Sequence, residues 1–155
     1  MSDTRIISNG QAAQDLAQAT ADFLLSRDLM SRALGMKIVQ VGPGRASLTM
    51  LVRADMVNGH GSCHGGVLFT LADSAFAFAC NTYNAVTVAA GATIDFLSPA
   101  RNGDELTAVA HEVWRSRRSG VYDVAVLNQK QECIALFRGR SHSHWRDIPR
   151  RPMSV

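Results

Sequence analysis

Aromatic residues are scarce in this 155-residue chain, at 6%, and so is charge, with Asp, Glu, Lys and Arg together at 19%. A formal net charge of +3 does not by itself mark a nucleic-acid-binding surface. Cysteine is limited to Cys63, Cys80 and Cys133, an odd number without a CxxC pair. That argues against a disulfide framework and points to a reducing compartment, the cytoplasm. Residues 1–7 lack the apolar core of a secretory signal. No apolar run reaches the ~20 residues of a membrane-spanning helix. Internal repeats and low-complexity tracts are missing too. What remains is a chain that is 46% hydrophobic. It is long enough for one domain with its own core and apolar enough to bury further surface in an oligomer.

Residues 11–34 carry a helical pattern through Ala12, Leu16, Ala19, Phe23 and Leu24, which predicts one or two amphipathic helices ending near Gly35. Strand-like sequence follows at 37–41, and Gly42-Pro43-Gly44 turns it into a second strand at 46–52. A loop with four glycines, 56–66, then opens onto an apolar helix. Further strands are expected at 87–97, 105–114, 121–127 and 133–142, joined by tight turns that favour antiparallel neighbours. In the strand at 87–97, Val88, Ala90, Ala92, Ile94 and Phe96 fall on one face. The pattern predicts an α+β domain in which a curved antiparallel sheet wraps one long helix, with another subunit covering the open side. The division expected is 1–34 as an N-terminal helical extension, 35–145 as the sheet-and-helix domain, and 146–155 as a flexible tail.

The helix holds the chemistry. From His64 to Cys80 its one charged residue is Asp73, and apolar side chains occupy every face, so the helix reads as buried on all sides. An uncompensated buried carboxylate costs several kcal/mol. Fold stability does not ask for Asp73; a general base or nucleophile would. Gly65 and Gly66 stand where the loop becomes the helix. There the first N–H groups lack internal partners and carry the positive end of the helix dipole. Such a terminus can hold a phosphate or a carbonyl oxygen as charge develops on it, or the glycines can simply permit a sharp turn. Asp73 lies seven residues beyond Gly66, about 10 Å along the axis, further than its side chain spans. The two features share a site if two such helices, from two subunits, run antiparallel.

The run Asn58-Gly59-His60-Gly61-Ser62-Cys63-His64-Gly65-Gly66-Val67-Leu68-Phe69-Thr70-Leu71-Ala72-Asp73 resembles the hotdog-fold thioesterases of the PaaI type, from the phenylacetate degradation pathway. The likeness continues through Thr93 to Pro99, Gly120 to Asp123 and Ala135 to His142. It implies a hotdog dimer, usually paired into a tetramer, that hydrolyses an acyl-coenzyme A, favouring an aromatic one such as phenylacetyl-CoA or a ring-hydroxylated relative. No cofactor is implied, since coenzyme A is part of the substrate. By position, Asp73 is the nucleophile or general base, the Gly65 N–H polarises the thioester carbonyl, Asn58 orients the water or carboxylate, and His64 shapes the loop. Gly66, Ser74 and Phe69 are expected to contact substrate. Some relatives place a serine on the strand after the helix to hold the water. Here residues 88–92 offer no hydroxyl, which leaves Ser74 or Thr70.

Arg101, Arg117, Arg118, Arg138 and Arg140 sit near strand ends, and arginine suits the coenzyme A phosphates; Arg138 and Arg140 fall in the family-like stretch. His60, Cys63 and His64 share a loop, but their spacing fits no common zinc pattern, so no metal is expected. Two other readings stand beside the thioesterase: a hotdog hydratase or dehydratase, and a non-catalytic acyl-CoA-binding protein. The order of His64 and Asp73 does not follow the hydratase motif. Residues 1–34 are too short and too weakly basic for a DNA-binding module. Neither a nucleic acid nor a membrane is expected as a partner.

Overall fold

A computed structural model describes residues 3–149, with side-chain placement given outside 3–8 and Trp145. Helix α1 (Asp3–Arg27) and the short α2 (Leu29–Ala33) precede the hairpin of β1 (Lys37–Gly42) and β2 (Arg45–Leu51). Helix α3 (Gly65–Asn81) follows, and then β3 (Ala85–Phe96), β4 (Glu105–Arg115), β5 (Ser119–Leu127) and β6 (Cys133–Asp147). The strands form one antiparallel sheet in the order β1-β2-β4-β5-β6-β3. Every strand but β1 packs on α3, so the sheet curls around that helix. The expected hotdog architecture is the observed one.

Alternation decides which side of the sheet meets the helix. On β5, Gly120, Tyr122, Val124 and Val126 point inward and are buried; on β6, Ala135, Phe137, Gly139 and Ser141 do the same. Phe76 of α3 lies against this face. Its ring is 5.5 Å from that of Tyr122 and 5.9 Å from that of Phe137, both tilted. Gly139 makes room for it, since a Cβ there would meet three Phe76 ring atoms at 2.8–2.9 Å.

Three sequence expectations change. The buried stripe of α1 is Ala17, Thr20 and Ala21, while Ala12, Leu16 and Ala19 face solvent. Small side chains let α1 approach β1 closely enough for Gln14 Nε2 to donate to the Val41 carbonyl at 2.6 Å. On β3, a register shift between Ala89 and Gly91 breaks the single face read from alternation, and Val88, Ala90 and Phe96 are all exposed. The boundary expected at 146 moves outward. Strand β6 runs through Asp147, and the Ile148 N–H donates to the Asn84 carbonyl at 3.1 Å; residues 150–155 lie outside the described residues. The helical segment does close near Gly35, whose φ of +70° suits glycine. Among the described residues, no helix is long and apolar enough to cross a membrane.

Candidate active site

The glycine-rich loop is organised by one side chain. Asn58 Oδ1 accepts from the N–H of His60 at 2.9 Å and of Ser62 at 3.3 Å. The Asn58 N–H donates to the Ser62 carbonyl at 2.8 Å, and Gly61 takes a φ of +78° inside the turn. With Oδ1 committed to these donors, the Nδ2 protons are what Asn58 can offer a ligand.

Helix α3 starts one turn later. His64 is its N-cap, and Nδ1 accepts from the Gly66 N–H at 2.9 Å. This replaces the usual Ser or Asp oxygen and requires Nδ1 unprotonated, with the proton on Nε2. The Gly65 N–H makes no hydrogen bond among the described residues. It stands at the positive end of a 17-residue helix. Asn58 and Gly65 line an open cleft of about 360 Å³, with Leu68, Phe96 and Leu97 as its apolar walls. A Cβ on Gly65 would come within 3.1 Å of the Phe96 ring, so the glycine keeps this wall close.

The helix is not buried on all sides within one chain. Gly66, Phe69 and Ala77 are exposed and Asp73 is half-buried, which marks an open stripe at i, i+3, i+7 and i+11. The opposite face, with Leu71, Ala72, Ala75 and Phe76, has at most 1% exposure. Phe69 packs edge-on against Phe137 at 5.4 Å and presents its other side to the stripe. The Asp73 carboxylate has no hydrogen-bond partner among the described residues. Burial raises its proton affinity above the usual carboxylate range, and the negative charge of Asp28 raises it further.

Asp28 belongs to a short network that sequence reasoning did not find. It caps α2, accepting from the Ser31 N–H at 2.9 Å and the Ser31 hydroxyl at 2.6 Å. The Ser31 proton is thereby used, so the 3.1 Å contact between Ser31 and Ser74 is donated by Ser74. Ser74 therefore anchors the N-terminal helices to α3 and is buried there, not turned toward the stripe. Asp28 followed by Ser31 at capping spacing was the available signal. Thr70 is likewise occupied, donating to the Gly66 carbonyl at 2.8 Å.

Arg138 and Arg140 lie elsewhere. They share the outer face of β6 with the exposed Leu136, so the sheet stands between them and α3 of the same chain. Arg138 grips Asp123 with two bonds, at 2.6 and 2.7 Å. This holds the Asp123 carboxyl below its ordinary range. The Arg140 guanidinium lies over Gly91, where a Cβ would clash with it. Cys63 is buried, and its thiol is pushed up to about 11, which keeps it protonated and a poor nucleophile. Among the described residues, no group of three His, Cys, Asp or Glu side chains is placed to hold a metal.

Taken together, one chain carries a helix terminus with an unpaired N–H at Gly65 and an unpartnered carboxylate at Asp73 among the described residues, eight residues and about 12 Å apart on one helix. Comparison with known proteins places the chain in a family. The family model of the thioesterase superfamily matches residues 60–135. The acyl-coenzyme A thioesterase PaaI of Escherichia coli strain K12 is 48% identical over 126 residues, 81% of this chain and 90% of that protein. Its solved structure superposes with a TM-score of 0.86 at 46% identity, covering 88% of this chain and 99% of that one. A variant of the phenylacetic acid degradation protein PaaI from Thermus thermophilus is 41% identical with a TM-score of 0.72, covering 74% of this chain and 98% of that one. This chain belongs to the thioesterase superfamily, as one of its PaaI-type hotdog members.

Proposed function

We propose that the chain hydrolyses an aromatic acyl-CoA, phenylacetyl-CoA or a ring-hydroxylated relative, at a site shared by two subunits. The observation that carries the reading is the Asp73 carboxylate, unpartnered and half-buried on the open stripe of α3. Two copies pair across the free edge of β3 with their open stripes antiparallel, so that Asp73 of one faces Gly65 of the other. The thioester oxygen accepts from the Gly65 N–H, with the Asn58 amide beside it. The Asp73 carboxylate then takes a proton from water as the water adds to the carbonyl carbon. The carbon–sulfur bond breaks, and Asp73 returns the proton to the departing thiolate, which leaves free acid and coenzyme A. Raised proton affinity makes Asp73 the better base. The coenzyme A phosphates are taken by Arg140, and by Arg138 only if its pair with Asp123 opens, from a neighbouring chain. The aromatic preference is supported by the likeness to phenylacetate-pathway relatives, by Phe96 and Leu97 in the cleft and by Phe69 on the open stripe. The assembly is a homo-oligomer, dimer or tetramer, working without a cofactor in the cytoplasm.

Release of free thiol from a panel of acyl-CoA esters tests this. Phenylacetyl-CoA or its ring-hydroxylated forms should give the highest kcat/KM. A flat profile, or a maximum at long aliphatic chains, contradicts the aromatic assignment.

A further inference from the structure

A second groove, of about 280 Å³, runs between the α1–α2 junction and α3, lined by Leu24, Arg27, Asp28, Ala77, Phe78 and Asn81. Ala77 lies one helical turn beyond Asp73 on the same face, so the groove continues from the carboxylate along the open stripe. Leu24, Ala77 and Phe78 make it apolar in the middle. Asn81 is committed to backbone: Nδ2 donates to the carbonyls of Ala77 and Thr87, and Oδ1 accepts from the Thr87 N–H. Polar character comes from Asp28 and from Arg27, whose guanidinium lies 4.7 Å above the Phe23 ring. The junction is firmly held. Asp28 caps α2, the Ser31–Ser74 hydroxyl contact ties it to α3, and Leu24 packs against the core. This wall comes from residues outside the 60–135 region that the superfamily model matches.

We infer that the N-terminal helical segment forms one wall of the acyl-binding groove, with Leu24 and Asp28 setting which acyl group is accepted. The inference rests on the thioesterase reading above. A compact acyl group with an apolar body and an uncharged polar edge suits the groove. An acyl group ending in a carboxylate meets the like charges of Asp28 and Asp73, and a long hydrocarbon chain meets the polar end.

The test uses the full chain and three esters: acetyl-, phenylacetyl- and decanoyl-CoA. Leu24→Trp fills the groove and should lower the phenylacetyl-to-acetyl ratio of kcat/KM at least tenfold. Leu24→Ala, which only removes atoms, should raise the decanoyl-to-phenylacetyl ratio several-fold. Leu16→Trp, on the solvent side of α1, should leave both ratios unchanged. Ratios within twofold of the parent in both Leu24 variants, or an equal shift in Leu16→Trp, overturn the inference. A parent protein that hydrolyses none of the three esters overturns the thioesterase reading itself.

Discussion

Replacing Asp73 by Asn separates what the carboxylate does for catalysis from what it costs the fold. The change is isosteric and keeps the helix. The carboxylate has no hydrogen-bond partner among the described residues and sits half out of water. Its proton affinity in the folded chain is raised, by burial first and Asp28 second. A raised carboxyl means the folded state binds a proton more readily than the unfolded one. Its contribution to stability is therefore present at acid pH and lost as pH rises through the folded value. At pH 7–8 the ionised group is destabilising, and Asn removes it. Asn keeps a polar group there but removes the desolvated charge and its repulsion by Asp28; a buried polar group costs about 1–3 kcal/mol and more when charged, so with half the hydration retained the relief is about 1 kcal/mol. For a chain of this size that corresponds to a rise in Tm of roughly 2–4 °C. Over the same substitution kcat should fall at least 10²-fold, the usual contribution of a positioned general base. In the parent enzyme kcat/KM should fall toward acid with a midpoint above the ordinary carboxylate range. Thermal melts at pH 5 and 8 and a pH–rate profile read all three effects. A variant that keeps near-normal kcat, or that melts several degrees lower at pH 8, refutes the reasoning.

His64→Ala removes the acceptor for the Gly66 N–H and should lower stability by about 1 kcal/mol, with His64→Asn recovering most of it in a thermal melt. Gly139→Ala drives a methyl into the Phe76 ring, which is 1% exposed and fixed between Tyr122 and Phe137. Overpacking of this kind costs roughly 1–3 kcal/mol, so denaturant midpoints should fall clearly, whereas Gly103→Ala, with open space around it, gives a strain effect alone. Arg140→Ala should raise KM for a full coenzyme A ester more than for a short thioester lacking the nucleotide. Arg138→Ala should do less, because its exposed guanidinium is already paired with Asp123; equal effects on both esters would show general damage instead.

The helix and its loop were legible because their signals are local. Asn58 to Asp73 is a continuous motif, and a single acid in an apolar run stands out at any register. The strands are legible from alternation and turns, but not their register shifts, such as those at Ala89–Gly91 of β3 and Glu112–Trp114 of β4, which no alternation announces. Burial is not legible where it depends on tertiary partners. The hydrophobic Leu16 faces solvent on α1 while Ala17 and Ala21 are buried, because close approach selects for small size over hydrophobicity. Sequence position alone marks Arg138 and Arg140 as phosphate candidates; the two-residue period of β6 puts them on the sheet face away from α3 of the same chain. The Asp28–Ser31–Ser74 network joins residues 43 apart, and only the packing of α2 on α3 creates it.

The proposed reaction requires Gly65 from one chain and Asp73 from another in every working site. Subunit mixing measures this directly. Chains carrying Asp73→Ala and chains carrying Gly65→Val, each inactive alone, are exchanged at equal amounts, and hybrid formation is verified by native mass spectrometry. Half the dimers are then hybrids, and each holds one intact site beside one doubly altered site. Thiol release should recover to about a quarter of the parent activity. Verified hybrids with no recovered activity would contradict a shared site.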